Sequence, residues 1–457
     1  MLDPAWETAA ASFSAQPIVV LRARIAESVI CTGSQARLLE VHQLEVVHSR
    51  CSGIDVHKAE VVVGTRIALS NGRASKEIRR FGTTTRDLLE LADWLSQNGI
   101  THVAMESTGS YWRPVYNILE GLFDLTLVNA QHMRNVPGRK TDVKDAEWIA
   151  DLHAHGLLKA SFVPDAEQRG IRDLTRTRSS LVGERARLAN RIQKTLEDAN
   201  IKLGNVATDV LGVSGRQMLH AMVAGEQDIE KIAQMSHGAL RKKLPELRLA
   251  LEGRVREVHR ILLKVLLDQV GALDKSIEEL NAEIDRALIG SPRPFESAKQ
   301  LLVTAPGVGR ITAEAVLAEI GVDMTRFLSD AHISSWAGIC PGNHESAGKR
   351  LSGRTRRGNT ALRPVLITIA HVASRQKGTY CHALFKRKAA GRGKKRAIVA
   401  VAHSLLVAFY HMLKDGVPYQ ELGADYFDRL SKPKTVHNLT KRLQSLGYDV
   451  KLTEVAV

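Results

Sequence analysis

This chain has few of the residues that mark secreted or membrane-spanning proteins. It contains only four cysteines among 457 residues, and their spacing matches neither a zinc motif nor a disulfide framework. Its start shows no charged and apolar targeting pattern. The longest apolar stretch, residues 397–413, is shorter than the about 20 residues that a membrane span normally needs. We therefore expect reduced cysteines, a cytoplasmic location and a buried helix at 397–413, with a membrane-edge helix as the alternative.

Acidic residues are outnumbered by basic ones. Lys and Arg number 64 and Asp and Glu 49, which gives a formal charge of +15. Hydrophobic residues make up 44% of the chain, enough to build cores, and the length predicts two to four domains. A basic folded protein predicts a polyanionic partner, most often nucleic acid. A generic soluble surface is the alternative.

Residues 46–164 have the pattern of an α/β sheet domain, after a predicted disordered extension at 1–45. Asn71-Gly72 is a strong hairpin signal. The predicted order is βββαβαβα, typical of a ribonuclease-H-like layered sheet. The predicted strands cover 53–65, 66–70, 76–81, 101–106 and 125–130. The predicted helices cover 85–97, 111–121 and 142–155.

Four acidic residues occupy positions that such a sheet would bring to one edge. Asp55 and Glu106 lie on two strands, whereas Asp142 and Asp145 share one face of a helix. Carboxylates grouped in this way hold divalent metals, and Mg²⁺ suits them best. Any one of the four alone would more simply be a surface acid. The alternative ligands are Glu147 and Asp151.

Residues 165–292 are predicted to be helical and residues 293–425 mainly helical, followed by a tail at 426–457. Two apolar seams in 165–292 favour a coiled-coil hairpin, and an ordinary helical bundle is the alternative. The arginines between Arg172 and Arg191 are expected to bind nucleic acid. The first seam is Ile171, Leu174, Leu181, Leu188, Ile192 and Leu196. The second is Val258, Leu262, Leu266, Leu273, Ile277, Leu280, Ile284 and Leu288.

Two glycine-rich segments follow. The sequence Pro306-Gly307-Val308-Gly309 resembles a helix-hairpin-helix turn, in which Gly307 and Gly309 would present amides to a phosphate. A plain tight connection is the alternative. The second segment, 342–350, carries Ser346, which could carry a cut strand covalently. In the alternatives, Ser346 only donates a hydrogen bond to phosphate, or Ser352 is the nucleophile. The basic residues expected to hold nucleic acid are Lys349, Arg350, Arg356, Arg357, Lys394, Lys395 and Arg396.

Together these motifs resemble the transposases of insertion sequence family 110, the DEDD-type serine recombinases. The resemblance runs from about Gly53 to Lys414. It is carried by Gly53-Ile54-Asp55-Val56-His57-Lys58, Met105-Glu106-Ser107-Thr108-Gly109, Lys140-Thr141-Asp142-Val143-Lys144-Asp145, Pro306-Gly307-Val308-Gly309, Ser346-Ala347-Gly348-Lys349 and Arg357-Gly358-Asn359. Two positions depart from it: Glu345 stands where the family has a second serine, and Arg354-Thr355-Arg356-Arg357-Gly358 replaces an Ile-Ser-Lys-x-Gly run.

The resemblance implies a RuvC-like N-terminal domain, a coiled-coil segment and a C-terminal transposase domain. It implies that Asp55, Glu106, Asp142 and Asp145 form the acidic site and that Ser346 bonds to DNA. It also implies donor and target DNA, a structured guide RNA from the same element, and assembly into dimers or tetramers. The expected function is therefore an RNA-guided DNA transposase or site-specific recombinase that uses Mg²⁺. The alternatives are a metal-dependent junction nuclease without serine catalysis and a nucleic-acid-binding scaffold.

Overall fold

The structure, a computed structural model, describes residues 45–129, 142–342 and 344–453. The predicted extension, up to residue 44, lies outside the described residues. The chain divides into two compact units, Met1–Ala166 and Glu167–Val457. The first is a mixed α/β unit and the second is mostly helical.

The first unit is built on a five-stranded sheet in the order β3-β2-β1-β4-β5. Strand β1 pairs antiparallel with β2 and parallel with β4, which in turn pairs parallel with β5. The strands are β1 (Arg50–Val56), β2 (Glu60–Ala68), β3 (Ala74–Gly82), β4 (His102–Glu106) and β5 (Asp124–Val128). The helices are α1 (Thr85–Gln97), α2 (Trp112–Leu119) and α3 (Asp142–Ala154).

Helices cover both faces of this sheet, which explains why its central strands β1 and β4 are buried along most of their length. Ile54 and Val56 of β1 share a core with Leu88 of α1 and Val115 of α2. On the opposite face, the apolar cluster joins β4, β5 and α3. The Thr84 hydroxyl accepts a hydrogen bond from the Asp87 amide and so fixes the start of α1.

The prediction of one strand over 53–65 was wrong. Residues 57–59 form a turn, in which the His57 amide donates to the Glu60 carbonyl at 3.0 Å, and β1 and β2 are its two antiparallel arms. The continuous apolar run concealed the turn because both arms are buried. The Asn71-Gly72 turn is confirmed between β2 and β3, with Gly72 at φ 77°.

The second unit begins with two long helices, α4 (Ala166–Asp198) and α9 (Glu257–Gly290), separated by shorter ones. The shorter helices are α5 (Leu203–Val206), α6 (Val213–Val223), α7 (Ile229–Gln234) and α8 (Leu244–Leu251). Contacts between α4 and α9 occur in reverse order along the chain: Arg178 bonds Asn281, Arg185 bonds Asp274, and Asp198 bonds His259. The two long helices are therefore antiparallel, and coiled-coil packing between them stays a prediction.

The seam predicted for α4 is largely buried, and the one predicted for α9 is buried at Ile284 and Leu288 but displaced at its start. Ile171, Leu188, Ile192 and Leu196 are buried as expected. On α9 the buried residues include Leu263, Leu267 and Val270, whereas Val258 and Leu262 are exposed. Helix α9 carries apolar residues on more than one face, so spacing alone could not identify the inner face.

The remaining chain packs around one large core that also takes in the ends of α4 and α9 through Ile171, Ile284 and Leu288. Its helices are α10 (Phe295–Val303), α11 (Arg310–Ile320), α12 (Asp330–Trp336), α13 (Leu362–Ala373), α14 (Tyr380–Arg392), α15 (Lys394–Asp415), α16 (Tyr426–Leu430) and α17 (Lys432–Ser445). A short hairpin, β6 (His344–Ser346) and β7 (Lys349–Ser352), lies between α12 and α13.

Helix α15 is long and apolar enough to cross a membrane by length and composition alone. Residues along its whole length, including Val401, Leu405 and Phe409, are nevertheless buried in the core of the second unit. The apolar stretch at 397–413 is thus a core helix, as the sequence predicts.

Candidate functional site

Asp55 and Glu106 lie next to each other at the carboxyl edge of the sheet. In the parallel pair of β1 and β4, Ile54 is opposite Met105, so the next position pairs Asp55 with Glu106. Adjacent strands lie about 4.8 Å apart, and residues at matched positions point to the same face. Asp55 is largely buried, with 8% of its surface exposed, and Glu106 is half-buried.

Helix α3 covers the face to which both carboxylates belong. A Cβ on Gly53 would overlap the backbone of Ala146 and Ala150, so β1 and α3 touch there. Asp55 follows Gly53 by two residues and therefore shares that face. On β4, Ala104 packs in one cluster with Ile149 and Leu152 of α3, and Glu106 is two residues further along the same face.

The direction of α3 brings its N-terminus to the acidic edge. His48 bonds the Ala154 carbonyl, Cys51 the Ala150 carbonyl, and Gly53 lies against Ala146, so β1 and α3 run antiparallel. A strand rises about 3.3 Å and a helix about 1.5 Å per residue. Two more strand residues, up to Asp55, therefore correspond to about four helix residues, back to Asp142. The helix N-terminus also favours negative charge at this edge.

Asp145 precedes Ile149 by four residues and so lies on the sheet-facing stripe of α3, and Asp142 is the first residue of that helix. The side chain of Asp142 lies outside the described set. Among the described residues no three His, Cys, Asp or Glu form a ready metal-binding group. The carboxylate oxygens of Asp55 and Glu106 are nevertheless donors of the kind that Mg²⁺ prefers.

The alternative acids Glu147 and Asp151 belong to another part of α3. Lys76 bonds Glu147 at 2.8 Å and Asp151 at 2.7 Å, and Arg66 bonds Asp151 at 3.0 Å. Desolvation by itself would lower the pKa of Lys76, but its hydrogen bonds with Asp151 and Glu147 raise that pKa above its ordinary value. These two carboxylates are therefore held by cations on β2 and β3.

His57 is a site residue that the sequence analysis missed. Its Nε2 lies 3.2 Å from Asp55 Oδ2, with the His57 ring half-exposed and the Asp55 carboxylate mostly buried. The available signal was its position two residues after Asp55, at the end of the same strand. An imidazole in this position can fix the orientation of the carboxylate.

Ser346 stands at the tip of the β6–β7 hairpin, directly before the turn. It pairs with Lys349 across the hairpin, and Ala347 and Gly348 form the two-residue turn with φ values of 48° and 74°. Two consecutive positive φ angles are typical of a type I′ turn. Ser346, Ala347, Gly348 and Lys349 are all exposed, so the hydroxyl and the Lys349 ammonium are both accessible at the hairpin tip.

Ser352 has a different local role. Its hydroxyl accepts a hydrogen bond from the Arg354 amide at 3.1 Å and closes the turn after β7. Arg356 and Arg357 follow and are exposed, without an ion pair among the described residues. The side chain of Arg350 lies outside the described set. The hairpin thus presents one serine at its tip and cationic side chains along its base.

The Pro306-Gly307-Val308-Gly309 turn joins α10 to α11 and packs against α13. Gly307 has φ 79°, and a Cβ there would lie 2.7 Å from the Ile369 carbonyl oxygen. The Gly309 amide donates to the Thr312 hydroxyl at 3.0 Å. Close packing therefore explains Gly307, and the Gly309 amide is already bonded within the protein. A phosphate contact by these two glycines stays a prediction.

The expectation that the six arginines from Arg172 to Arg191 form a nucleic-acid surface needs correction for four of them, whereas Arg187 and Arg191 are exposed and stay a prediction. Arg178 and Glu314 form a buried ion pair, 3% and 1% exposed, with N and O 2.5 Å apart. Arg176 bonds both oxygens of Glu319 at 2.7 and 2.9 Å. Arg172 and Arg185 bond Glu319 and Asp274 respectively. These four arginines therefore hold the helices of the second unit together. Sequence spacing did not reveal their acidic partners, which are distant along the chain.

The basic residues Lys394, Lys395 and Arg396 form the first turn of α15 and are exposed. Cations are disfavoured at a helix N-terminus by about 0.3–1 kcal/mol each. None of the three forms an ion pair with the described acids. An anionic partner would relieve this repulsion.

Two family models match the chain. Residues 52–201 match a DEDD-type model of IS110, described as "Transposase". Residues 299–386 match a model described as "Transposase IS116/IS110/IS902 family". The four predicted acidic ligands fall in the first match and Ser346 in the second. The residues after 386, including α17, fall in neither.

Curated relatives carry related names. The chain is 28% identical over 282 residues to a "Probable family 20 transposase" of Pseudomonas aeruginosa, covering 61% of this chain and 72% of the relative. It is 25% identical over 286 residues to the transposase for insertion sequence element IS1328 of Yersinia enterocolitica, covering 62% and 74%. A pilin gene-inverting protein of Moraxella bovis is 29% identical over 157 residues, 34% of this chain and 48% of the relative.

Proposed function

We propose that this chain, which matches IS110/IS116/IS902 transposase models over residues 52–201 and 299–386, cuts and rejoins the DNA strands of an insertion element. In this proposal Ser346 is the nucleophile and forms a covalent phosphoserine link to DNA. The first unit acts as a RuvC-like domain, a proposal that the β3-β2-β1-β4-β5 sheet order supports.

The observation that carries the proposal is the register at the sheet edge. Asp55 and Glu106 are matched neighbours on β1 and β4, and α3 begins over the same edge with Asp142 and Asp145. Four carboxylates from two strands and one helix would repel one another unless a cation neutralised them. Asp55, Glu106, Asp142 and Asp145 are therefore proposed to hold Mg²⁺. When bound, Mg²⁺ supplies Lewis-acid polarisation of a phosphodiester.

The protein's own residues would perform the remaining steps. Ser346 is exposed at the hairpin tip, where its Oγ can approach a backbone phosphate. The Oγ–P bond forms while the bond from phosphorus to the leaving DNA oxygen breaks, and the serine proton ends on the released hydroxyl. Lys349, which pairs with Ser346, together with Arg356 and Arg357, stabilises the charge on the phosphoryl oxygens.

Target choice is proposed to rest on a guide RNA, and the active assembly on several copies of the chain. Both proposals come from the family resemblance. The exposed basic turn of α15 and the basic hairpin support a nucleic-acid partner of either kind, because phosphate contacts do not read sequence.

A denaturing gel tests the nucleophile. Full-length protein is incubated with the guide RNA of its element, element-end DNA and Mg²⁺, and the gel is examined for a protein–DNA adduct. The parent and Ser352→Ala should form the adduct, whereas Ser346→Ala should bind DNA without forming it. An adduct that persists in Ser346→Ala would move the nucleophile elsewhere. Strand cleavage without any adduct would instead favour a metal-dependent nuclease.

A further inference from the structure

We propose that the C-terminal helices and α14 form a second nucleic-acid site, a cleft that grips one unpaired strand by its phosphates and stacks a base. The cleft has a volume of about 380 Å³ and is lined by Ala383 and Arg387 of α14, Phe427 of α16, and Thr435, Asn438 and Leu439 of α17. It rests on the proposed function only for the choice of a nucleic acid as partner. The helix α17, which completes it, lies outside both family matches.

Contacts within the second unit hold the cleft open. Tyr380 and Phe427 stack with ring centroids 5.3 Å apart, and Tyr426 meets Tyr380 edge-on at 5.2 Å. The Glu421 carboxylate accepts a hydrogen bond from the Tyr380 amide at 2.7 Å. These contacts fix α16 against the start of α14, so the polar residues of α17 face Arg387 across an open gap.

Arg387 is placed to bind a phosphate. Its guanidinium carbon lies 5.0 Å from the centre of the Phe427 ring, a cation–π contact that favours this position of the side chain beside the cleft. It is exposed and forms no ion pair among the described acids. A guanidinium fork can bind two phosphate oxygens at once, and its stacked plane can also support a base.

Helices α14 and α17, which flank the cleft, carry charge of one sign. Residues 380–396 contain seven Lys and Arg, residues 432–445 contain four, and neither segment contains Asp or Glu. Arg442 continues the stripe of Thr435, Asn438 and Leu439 by one further turn of α17. Asp428, at the cleft wall, disfavours small free anions but can accept a hydrogen bond from an exocyclic amine. A cationic groove with an aromatic ring is the arrangement that binds single strands.

The size of the cleft selects the partner. It can admit one base with its phosphate, whereas a duplex could meet only its rim. Single-stranded DNA and single-stranded RNA share the phosphates and bases that the cleft could hold, so the experiment tests each strand separately.

Anisotropy with fluorescein-labelled single strands of about 12 nucleotides, one of DNA and one of RNA, tests the site. The full-length double variant Arg387→Ala/Arg442→Ala should bind at least one strand about tenfold more weakly than Lys275→Ala. Lys275→Ala is the control because it removes an exposed cation of α9, away from the cleft. The salt dependence of log K should also fall by about 0.7 for each lost phosphate contact. Binding equal to the control with both strands would overturn the site.

A second variant guards against loss of packing. Asn438→Glu adds a negative charge to an exposed position of α17, so it should weaken binding without changing the unfolding temperature. The Ser346 adduct separates this site from the proposed function. Adduct formation by the cleft variants at saturating DNA, together with unchanged strand binding, would leave the transposase proposal standing and remove the cleft. If the cleft variants bound single strands more weakly and the parent formed no adduct, the cleft would stand and the transposase proposal would fall.

Discussion

Gly338 and Gly358 touch backbone to backbone at the base of the hairpin that carries Ser346. A Cβ on Gly338 would lie 2.6 Å from the Gly358 amide nitrogen and 3.0 Å from the Arg356 carbonyl oxygen. Gly338 also has φ 70°, a conformation that other residues rarely adopt. The two glycines therefore fix how residues 339–357 leave and rejoin the core, and so where Ser346 is presented.

Gly358→Ala should displace the hairpin and lower strand exchange by at least tenfold. The added methyl group overlaps fixed backbone, for which overpacking costs of about 1–3 kcal/mol are usual. The yield of the Ser346 adduct measures the loss of activity, and the unfolding midpoint in urea measures the cost of overpacking. The control is Gly391→Ala, where nothing lies within 4 Å. Full activity in Gly358→Ala would show that the contact between Gly338 and Gly358 does not position Ser346.

The ion pair of Arg178 and Glu314 should be essential to the second unit. Arg178→Met leaves Glu314, which is 1% exposed, charged without its main partner, and should lower the free energy of unfolding by about 3–5 kcal/mol. The double variant Arg178→Met/Glu314→Leu should recover most of that loss. Chemical unfolding measures both. An unchanged midpoint in Arg178→Met, with weaker nucleic-acid binding instead, would restore Arg178 to the predicted binding surface.

Local signals predicted much of the first unit. The Asn71-Gly72 turn and the helix from Thr85 to Gln97 appear where the sequence places them. The turn at 57–59 was missed because it lies between two buried strands and contains neither Gly nor Pro. Only the start of the α9 seam was misplaced, because that helix has apolar residues on several faces and its packing in the fold decides which face is buried.

The candidate site was less accessible to sequence reasoning than the fold. Motifs identified Asp55, Glu106 and Ser346, since each follows or precedes a recognisable strand or turn. The pairing of Asp55 with Glu106 depends on sheet register, which no local pattern encodes. The φ of 48° at Ala347 had no signal either, because glycine rather than alanine normally marks that conformation.

The stability of the first unit should fall between pH 7 and pH 5 because of His153. Its ring is 3% exposed, and burial, followed by the neighbouring His48 and His102, lowers its pKa from 6.5 to about 4. Between pH 6.5 and 4, His153 is therefore protonated in the unfolded chain but remains neutral in the folded chain. The stabilisation is therefore complete above about pH 6.5 and is lost as the pH falls to 4, by about 2 kcal/mol between pH 7 and 5.

Thermal unfolding at a series of pH values checks this linkage. His153→Leu removes the titrating group and should flatten the profile below pH 6.5. His237→Leu serves as the control, because His237 is exposed in the second unit. An equally steep profile in His153→Leu would assign the pH dependence to another group.

Loss of charge at Asp55, on the sheet edge, should affect activity and Mg²⁺ binding more than loss of charge at Asp151 on α3. Asp55→Asn should abolish strand exchange and remove the stabilisation by Mg²⁺, because it deletes a proposed ligand. Asp151→Asn should keep both, losing only its partly exposed ion pairs with Arg66 and Lys76 at about 1 kcal/mol or less. The shift of the unfolding temperature with added Mg²⁺ is the measurement. Equal shifts in Asp55→Asn and the parent would place the metal elsewhere.

His57 should matter through Asp55 and not through contact with DNA. Its Nε2, 3.2 Å from Asp55 Oδ2, holds one carboxylate oxygen and leaves the orientation of the other defined. Removing such a supporting group typically costs about 10–100-fold in metal affinity. His57→Ala should therefore raise the Mg²⁺ concentration needed for thermal stabilisation, and His57→Gln should restore much of the affinity because the amide nitrogen can take the place of Nε2. DNA binding without metal should be the same in both variants and the parent. If His57→Ala instead weakened DNA binding and left the Mg²⁺ response unchanged, His57 would be a nucleic-acid contact and its bond to Asp55 incidental.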